Sequence, residues 1–310
     1  MVGRPTNYLR LMRNFDLNLL ASLDALLAEK NVTRAAKKMH VTQSTMSGIL
    51  RRLRDQFDDE LLIRNGRGYD LSPFAQSLAI SVRQTILQID STISAKPLFD
   101  PRKDRRQFRI MASDYSTMVY LSAVFRRIGE QAPFLSYEIL PINSPLDHVR
   151  SGTVDLCVTG NPYSQAEAAA DQLLRTDVLF SEVYCCVVDE DHPLRGINTL
   201  DQLFEFPHVT AQFAGVTMQT SELRIGGKRT RGNPTINVSS FNIIPALVRG
   251  TRAVGILPSR LTEMAPGYAG LRTLAVAFEM PSFTEHLIWH SRFAYDPAFC
   301  WLRDVMLTMR

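Results

Sequence analysis

The chain has 310 residues, too many for one core and enough for two or three compact units. Hydrophobic residues make up 45% and charged residues 21%, the balance of a soluble globular protein, and no stretch is apolar for long enough to span a membrane. The net charge of +4 is unevenly spread: residues 1–67 hold 12 Lys/Arg against 7 Asp/Glu and the rest hold 23 against 24, so one small module carries the excess and phosphate is its expected partner.

The basic N-terminus, MVGRPTNYLRLMRNFD, lacks the continuous apolar segment of a signal peptide, which predicts a cytoplasmic protein. Residues 16–29 place Leu19, Leu20, Leu23, Leu26 and Leu27 on one helical face, with Asp16 as N-cap. Thr33 is the expected cap of a short helix, RAAKKMH, whose Ala35 and Ala36 allow close helix contact. After a break at Val41-Thr42, a helix from about Gln43 to Phe57 turns Met46, Ile49, Leu50, Leu53 and Phe57 inward. Two helices joined by a short turn, the second polar at its start, form the helix-turn-helix pattern. In LLIRNGRGYDLS two apolar runs flank Asn65-Gly66, a hairpin signal, and the basic hairpin reads as a wing.

Ser72-Pro73 opens a helix over residues 73–95. Its stripe of Leu78, Val82, Ile86, Ile89 and Ile93 must be covered, either by its own chain or by a second copy. Separate domains flank it, so dimerisation is the expectation. Residues 96–107 (KPLFDPRKDRRQ) read as a charged hinge containing proline.

From Phe108 onward short strands alternate with helices: FRIMA (108–112), SYEIL (136–140), VDLCV (154–158), EVYCCVV (182–188), TINV (235–238) and AVGILP (253–258), with helices at about 116–131 and 241–249. This predicts an α/β domain with a largely parallel sheet. Cys157, Cys185, Cys186 and Cys300 make no CxxC pair, which argues against a thiolate zinc site; no other metal site or cofactor is expected. Cys185 and Cys186 point to opposite faces of a strand and cannot pair with each other, so buried small hydrophobes in a reducing compartment are expected.

Three segments carry a family resemblance: LNLLASLDALLAEKNVTRAA, TQSTMSGILRRLRDQF and DELLIRNGRGYDLSP. Over residues 16–75 they resemble the LysR-type transcriptional regulators, with Gln43, Ser44, Ser47, Leu61-Leu62, Arg64 and Leu71-Ser72-Pro73 at the family's pattern positions. Ser44 stands where Pro is common, Leu62 where Phe is usual and Ala75 near a usual Gly, which leaves the operator sequence open. LFDPRKDRRQFRIMASDY, DEDHPL and RGTRAVGILPSRL extend the likeness to the C-terminus. The opening segment and the hinge are most similar to the nodulation and aromatic-catabolism branch, whose members respond to flavonoids, salicylate-type acids and related aromatics. The resemblance implies an α+β winged helix-turn-helix (15–72), a dimerisation linker helix (73–95), a hinge (96–107) and an effector-binding domain (108–310). That domain has the two-lobed α/β fold of periplasmic binding proteins, with lobe I about 108–178 and 272–310, lobe II about 179–271, and crossovers near 175–183 and 267–277. It also implies a homodimer or homotetramer on an inverted repeat in double-stranded promoter DNA, with DNA bending and RNA polymerase as a further partner.

On the recognition helix, the face opposite Ile49, Leu50 and Leu53 carries Gln43, Ser44, Thr45, Ser47, Gly48 and Arg51. Gln43 can pair with adenine and Thr45 can touch a thymine methyl; Arg51 reads guanine or clamps phosphate. Arg52 and Arg54 meet phosphate or acidic neighbours such as Asp55 and Asp58. Arg34, Arg64 and Arg67 are expected on the backbone. A ligand is expected outside the carboxyl ends of strands, between the lobes. Ser113, Ser116 and Thr117, at a helix start, suit a carboxylate or phenolate, which Asp114 opposes unless it turns outward. Thr159, Asn161, Phe206, His208, Phe241 and Asn242 complete the expected site: Phe206 and Phe241 stack on a ring, and His208 binds its hydroxyl or acid group.

An enzyme is not expected: GxSxG, HExxH, Rossmann and Walker-type patterns do not occur, and GGKRTRG (226–232) has the wrong spacing and reads as a basic turn. A solute-binding protein would need a signal peptide and not residues 15–72. A nucleoid-type DNA binder would need no 200-residue α/β domain. A regulator that needs no ligand is the remaining alternative.

Overall fold

Leucine faces too short to be stable alone bury themselves against one another at the N-terminal end of the chain. The computed structural model describes residues 16, 18–66, 68–93, 99–211, 234–264 and 266–309, and its contacts fall into two units, 1–95 and 96–310. In the first, helices α1 (Asn18–Glu29), α2 (Val32–Lys38) and α3 (Gln43–Phe57) precede a hairpin of β1 (Leu62–Asn65) and β2 (Gly68–Leu71), then helix α4 (Pro73–Ile93). Leu23, Leu26, Met46, Leu53, Leu61 and Leu62 form the buried centre, and the small Ala35 and Ala36 let α2 approach it.

Side-chain caps fix the helix starts. The Asp16 carboxylate accepts the Asn18 N–H (3.1 Å). The cap of α2 is Asn31, not Thr33: Asn31 is extended and accepts the Arg34 N–H (3.0 Å), whereas Thr33 already lies inside the helix. Thr42 accepts the Thr45 N–H (3.1 Å) at the head of α3. Ser72 accepts the Ala75 N–H (2.9 Å) and donates to Asp59 (2.6 Å), tying α4 to the loop after α3. Asn65 pairs with Gly68 and so belongs to the strand, where the Asn65-Gly66 signal places it in the turn. Gly66 has φ +55, a conformation that favours glycine; Arg67 lies outside the described residues.

Helix α4 packs on α1, where Arg83 pairs with Asp24 (2.9 Å). Its apolar stripe divides. Val82 is buried and Leu78 packs against the same core, so these two serve their own unit rather than a dimer seam. Ile86 is half-buried, Ile89 is exposed and Ile93 is 80% exposed.

The second unit runs β3 (Arg106–Ala112), α5 (Asp114–Ser116), a π-turn (Thr117–Leu121), α6 (Ser122–Gln131), β4 (Leu135–Leu140), α7 (Pro145–Ser151), β5 (Leu156–Thr159), α8 (Pro162–Ala170) and β6 (Leu174–Asp189). It continues through β7 (Gly196–Ile197), α9 (Leu200–Phe204), β8 (His208–Ala211), β9 (Pro234–Val238), a 3-10 turn (Phe241–Ile243), α10 (Ile244–Val248) and β10 (Val254–Pro258). Then come α11 (Leu261–Met264), β11 (Leu271–Thr273), β12 (Ala275–Val276), β13 (Ser282–His290) and α12 (Pro297–Thr308). One sheet has the order β4-β3-β5-β13-β6-β10-β8-β9, with β11 also on β6. β3 is parallel to β4 and β5, and β8 to β9 and β10; β6 and β13 run antiparallel to their neighbours. Strand β3 begins at Arg106, inside the segment expected as hinge, because Arg106 pairs with Asp296 (2.6 Å) at the start of α12.

The long β6 and its partner β13 form the band that joins the lobes. The second crossover is therefore Ser282–His290, not 267–277. β11 pairs with Val187–Asp189 at the far end of β6 and β12 pairs with β7, which keeps both in lobe II; the return to lobe I comes where His286–Trp289 pair with β5. Lobe I resumes in β13 rather than at residue 272. Cys157 and Cys186 are buried and Cys185 half-buried; burial pushes the thiols of Cys185 and Cys186 up to about 12, so they behave as packing residues. Among the described residues no helix is long and apolar enough to cross a membrane, and no cluster of His, Cys, Asp and Glu could hold a metal.

Candidate nucleic-acid interface and interlobe cleft

The first turns of α3 present Gln43, Ser44, Thr45, Ser47 and Arg51, all exposed. They are pre-ordered by short-range bonds: the Thr42 hydroxyl lies 2.9 Å from that of Ser44 and 2.8 Å from that of Thr45, and the Gln43 amide donates to the Ser47 hydroxyl (3.2 Å). Gly48 lies on the same helix, and a Cβ added there would meet nothing within 4 Å. Arg51 and Arg64 are exposed and have no ion-pair partner among the described residues.

The other arginines are committed to the fold. Arg54 donates to the carbonyls of Glu60 (2.8 Å) and Leu62 (3.0 Å) and pairs with the Glu60 carboxylate (3.0 Å), holding the hairpin against α3. Arg52 pairs with Asp16 (3.1 Å). Neither uses Asp55 or Asp58, the expected neighbours. Arg34 pairs with Glu29 (3.3 Å) and donates to its carbonyl, so it can turn to phosphate only by giving up those bonds.

In the second unit, the carboxyl ends of β3, β5 and β9 converge on the seam between lobes. Ser113 caps the helix after β3, accepting the Ser116 N–H (3.0 Å), and the Thr117 hydroxyl donates to the Ser113 carbonyl (2.7 Å). Thr159 is buried at the end of β5, accepting the Asn161 N–H (3.1 Å); Asn161 caps α8 by accepting the Tyr163 N–H (2.9 Å). Phe241 is buried at the seam, edge-on to Tyr115 (6.1 Å). Phe241, Tyr115, Tyr184 and Phe283 form one aromatic wall, the last two with ring centroids 5.2 Å apart. Gly160 is needed beneath it: a Cβ there would come within 2.4 Å of the Phe283 ring.

Three carboxylates lie among these rings. Asp114 reaches across from lobe I to lobe II, accepting the Ser240 O–H and the Asn242 N–H (3.4 Å), so it turns inward. Glu182, buried on β6, accepts from Tyr115 (2.5 Å), Ser259 (2.8 Å) and the Val183 N–H (2.8 Å), with Arg260 3.5 Å away. Glu285, buried on β13 at a break in strand register, accepts from Ser116 (3.1 Å). Burial, and to a lesser extent the Glu182 charge, pushes the Glu285 carboxyl up to about 8, although the Ser116 bond opposes this.

Phe206 and His208 do not join this site. They precede β8 or begin it, whereas the seam lies beyond the strands' carboxyl ends; the seam end of β8 is Ala211. Phe206 packs edge-on against His192 (4.9 Å), and His208 is buried between β10 and β9. GGKRTRG falls outside the described residues. The sequence reading missed Tyr115, Tyr184, Glu182, Phe283 and Glu285. The available signal was an acidic residue interrupting each of two apolar strands, EVYCCVV and FTEHLIW.

Known proteins agree with this architecture. Residues 17–76 match the model described as bacterial regulatory helix-turn-helix protein, lysR family, and residues 101–309 match the LysR substrate binding domain. The chain is 34% identical to nodulation protein D 2 of Rhizobium leguminosarum bv. phaseoli, over 95% of this chain and 92% of that protein. It is 35% identical to nodulation protein D 1 of Mesorhizobium japonicum, over 95% and 93%. Among solved structures, a full-length OxyR variant from Pseudomonas aeruginosa superposes with TM-score 0.71 at 18% identity, covering 94% of each chain. A probable transcriptional regulator from the same organism gives 0.62 at 23% identity, covering 97% of this chain and 99% of that one. These two likenesses concern the fold, while the family matches and the curated relatives span nearly all of the sequence. The chain belongs to the LysR family of bacterial transcriptional regulators.

Proposed function

We propose that this regulator reads an inverted repeat in promoter DNA through two copies of α3 and is controlled by a small aromatic, hydroxyl-bearing effector held between the lobes. The aromatic wall of Tyr115, Tyr184, Phe241 and Phe283, at the carboxyl ends of strands, is the observation that carries the effector reading. The similarity to the nodulation and aromatic-catabolism branch supports it. Gln43, Ser44, Thr45, Ser47 and Arg51 read the bases; Arg64 and Arg67 hold phosphate. Ile89 and Ile93, left uncovered on α4, supply the seam between copies, giving a dimer or a tetramer. The protein acts in the cytoplasm, with RNA polymerase as a further partner. An effector changes transcription only by favouring one lobe arrangement over another.

Gel shift and footprinting on the DNA upstream of its own gene, with and without a panel of flavonoids and simple phenols, test this reading. The expected result is binding in both conditions with a protection pattern that changes when ligand is present. A chain that ignores this DNA at low salt overturns the operator assignment. A pattern that no compound alters leaves a ligand-independent regulator.

A further inference from the structure

The seam is held shut by three successive residues of the first helix of lobe I. Tyr115 donates to Glu182 (2.5 Å) and Ser116 to Glu285 (3.1 Å), both on the crossover strands. Asp114 alone reaches the opposite lobe, where one carboxylate oxygen takes both the Ser240 O–H and the Asn242 N–H. Ser240 is also the cap of the 3-10 turn that carries Phe241, so this bond positions part of the aromatic wall.

Two carboxyl oxygens at the seam are buried without a hydrogen-bond partner among the described residues, the second of Asp114 and the second of Glu285; burial keeps the Glu285 carboxyl protonated near neutral pH, so the free acceptor is on Asp114. A carboxylate oxygen removed from water without a donor is costly, so the seam calls for donors. The charge balance calls for the same thing. Asp114 and Glu182 are opposed among the described seam residues only by Arg260, which is half-exposed and pairs with Glu182. A ligand carboxylate would add a further negative charge to this set, whereas a neutral O–H adds a donor.

Resting on the reading that an aromatic effector occupies the cleft, we infer that Asp114 is both the latch between the lobes and the residue that selects the effector. A ligand hydroxyl donates to the partnerless Asp114 oxygen while Ser240 holds the other, so one carboxylate carries both the lobe-to-lobe bond and the recognition of the effector. Neutral hydroxylated aromatics are accepted and aromatic carboxylates are rejected.

Calorimetry on the full chain tests this with resorcinol and hydroxylated flavones against salicylate and 4-hydroxybenzoate. The wild type binds the neutral series, and the acids bind at least about tenfold more weakly, the size expected for one charge-assisted bond. Asp114→Asn keeps an acceptor for Ser240 but adds a donor and removes the charge; it weakens the neutral series and strengthens the acids. Ser240→Ala removes the lobe-to-lobe bond and leaves the free oxygen in place; it changes the affinity of both series alike and leaves the neutral-to-acid ratio unchanged. If Asp114→Asn fails to fold, the wild-type ratio decides. Acids bound as tightly as phenols by the wild type, or a ratio that Asp114→Asn leaves unmoved, overturn the inference and leave the aromatic-effector reading standing. If neither series gives heat with any variant, the effector reading itself falls, and this one with it.

Discussion

Residues 18–93 hold the side chains proposed to read bases on the surface of α3, bonded only to near neighbours, whereas residues 106–309 bury Tyr115, Glu182 and Glu285 at one seam. The first arrangement separates function from stability: Gln43 or Arg51 can be removed without opening a core. The second fuses them, because each cleft group proposed to meet a ligand also makes bonds at the seam. Surface recognition should therefore yield clean binding phenotypes, and the cleft should yield coupled ones.

Helix α4 offers the sharpest break of that division, since one end of its stripe is packed in the core and the other end is the proposed seam between copies. Ile89→Asp with Ile93→Asp should abolish pairing in sedimentation velocity and cut operator affinity by about 10²-fold or more through lost bivalency, with the melting of the first unit unchanged. Val82→Ala should do the reverse, lowering that melting while pairing survives. A monomeric Val82→Ala protein with unaltered melting would erase the distinction.

The buried network makes the next largest prediction. The Glu285 carboxyl, ordinarily near 4.5, is raised to about 8 in the fold. Between those values the folded state binds the extra proton, so the stability from this group is complete below about 4.5 and is lost as pH rises through 8. His290 runs the other way: burial lowers it from 6.5 to about 4, and its contribution changes only below 6.5. A scan from pH 7 to 8.5 thus isolates Glu285. The wild-type melting temperature should fall across that window, by about 2–4 °C per kcal/mol lost, and Glu285→Gln should be flat. Parallel curves for the two proteins would remove Glu285 as the titrating group.

Gln43→Ala tests the surface half of the comparison. Loss of a paired contact to adenine should cost about 1–3 kcal/mol on the operator and little on random DNA. Arg67→Ala, at a phosphate contact, should weaken both alike. Equal losses on operator and random DNA for Gln43→Ala would return that side chain to the solvated surface.

The same contrast explains what was legible in the amino-acid order. Helical leucine spacing, the Ser72-Pro73 helix entry and the wing follow from local rules, and the exposed face of α3 is simply the face left over. In the α/β unit six strands were legible as apolar runs, but β8 and β13 were not among them and the pairing was not legible. β6 and β13 meet across about a hundred residues of chain, and nothing local shows that Glu182 and Glu285 enter one seam. Phe206 and His208 were misplaced because strand direction was left out: residues before a parallel strand lie at the end opposite the crevice. Charge alone put Arg34 on the DNA backbone and Arg54 at phosphate or an acidic neighbour, and only coordinates could reveal Glu29 and the Glu60 and Leu62 carbonyls as their partners within the fold.

Gly48 separates stability from recognition most finely. A glycine within a helix costs about 1 kcal/mol relative to alanine, and here no neighbour demands it, since a Cβ would stand in open space. The chain carries a cost that its own fold does not explain. If the reason lies in the close approach of DNA to α3, Gly48→Ala has effects of opposite sign. The first unit gains up to about 1 kcal/mol, read as a higher melting temperature, while operator affinity falls in the gel shift. A variant that is more stable and binds the operator unchanged would move the DNA contact off this face of the helix.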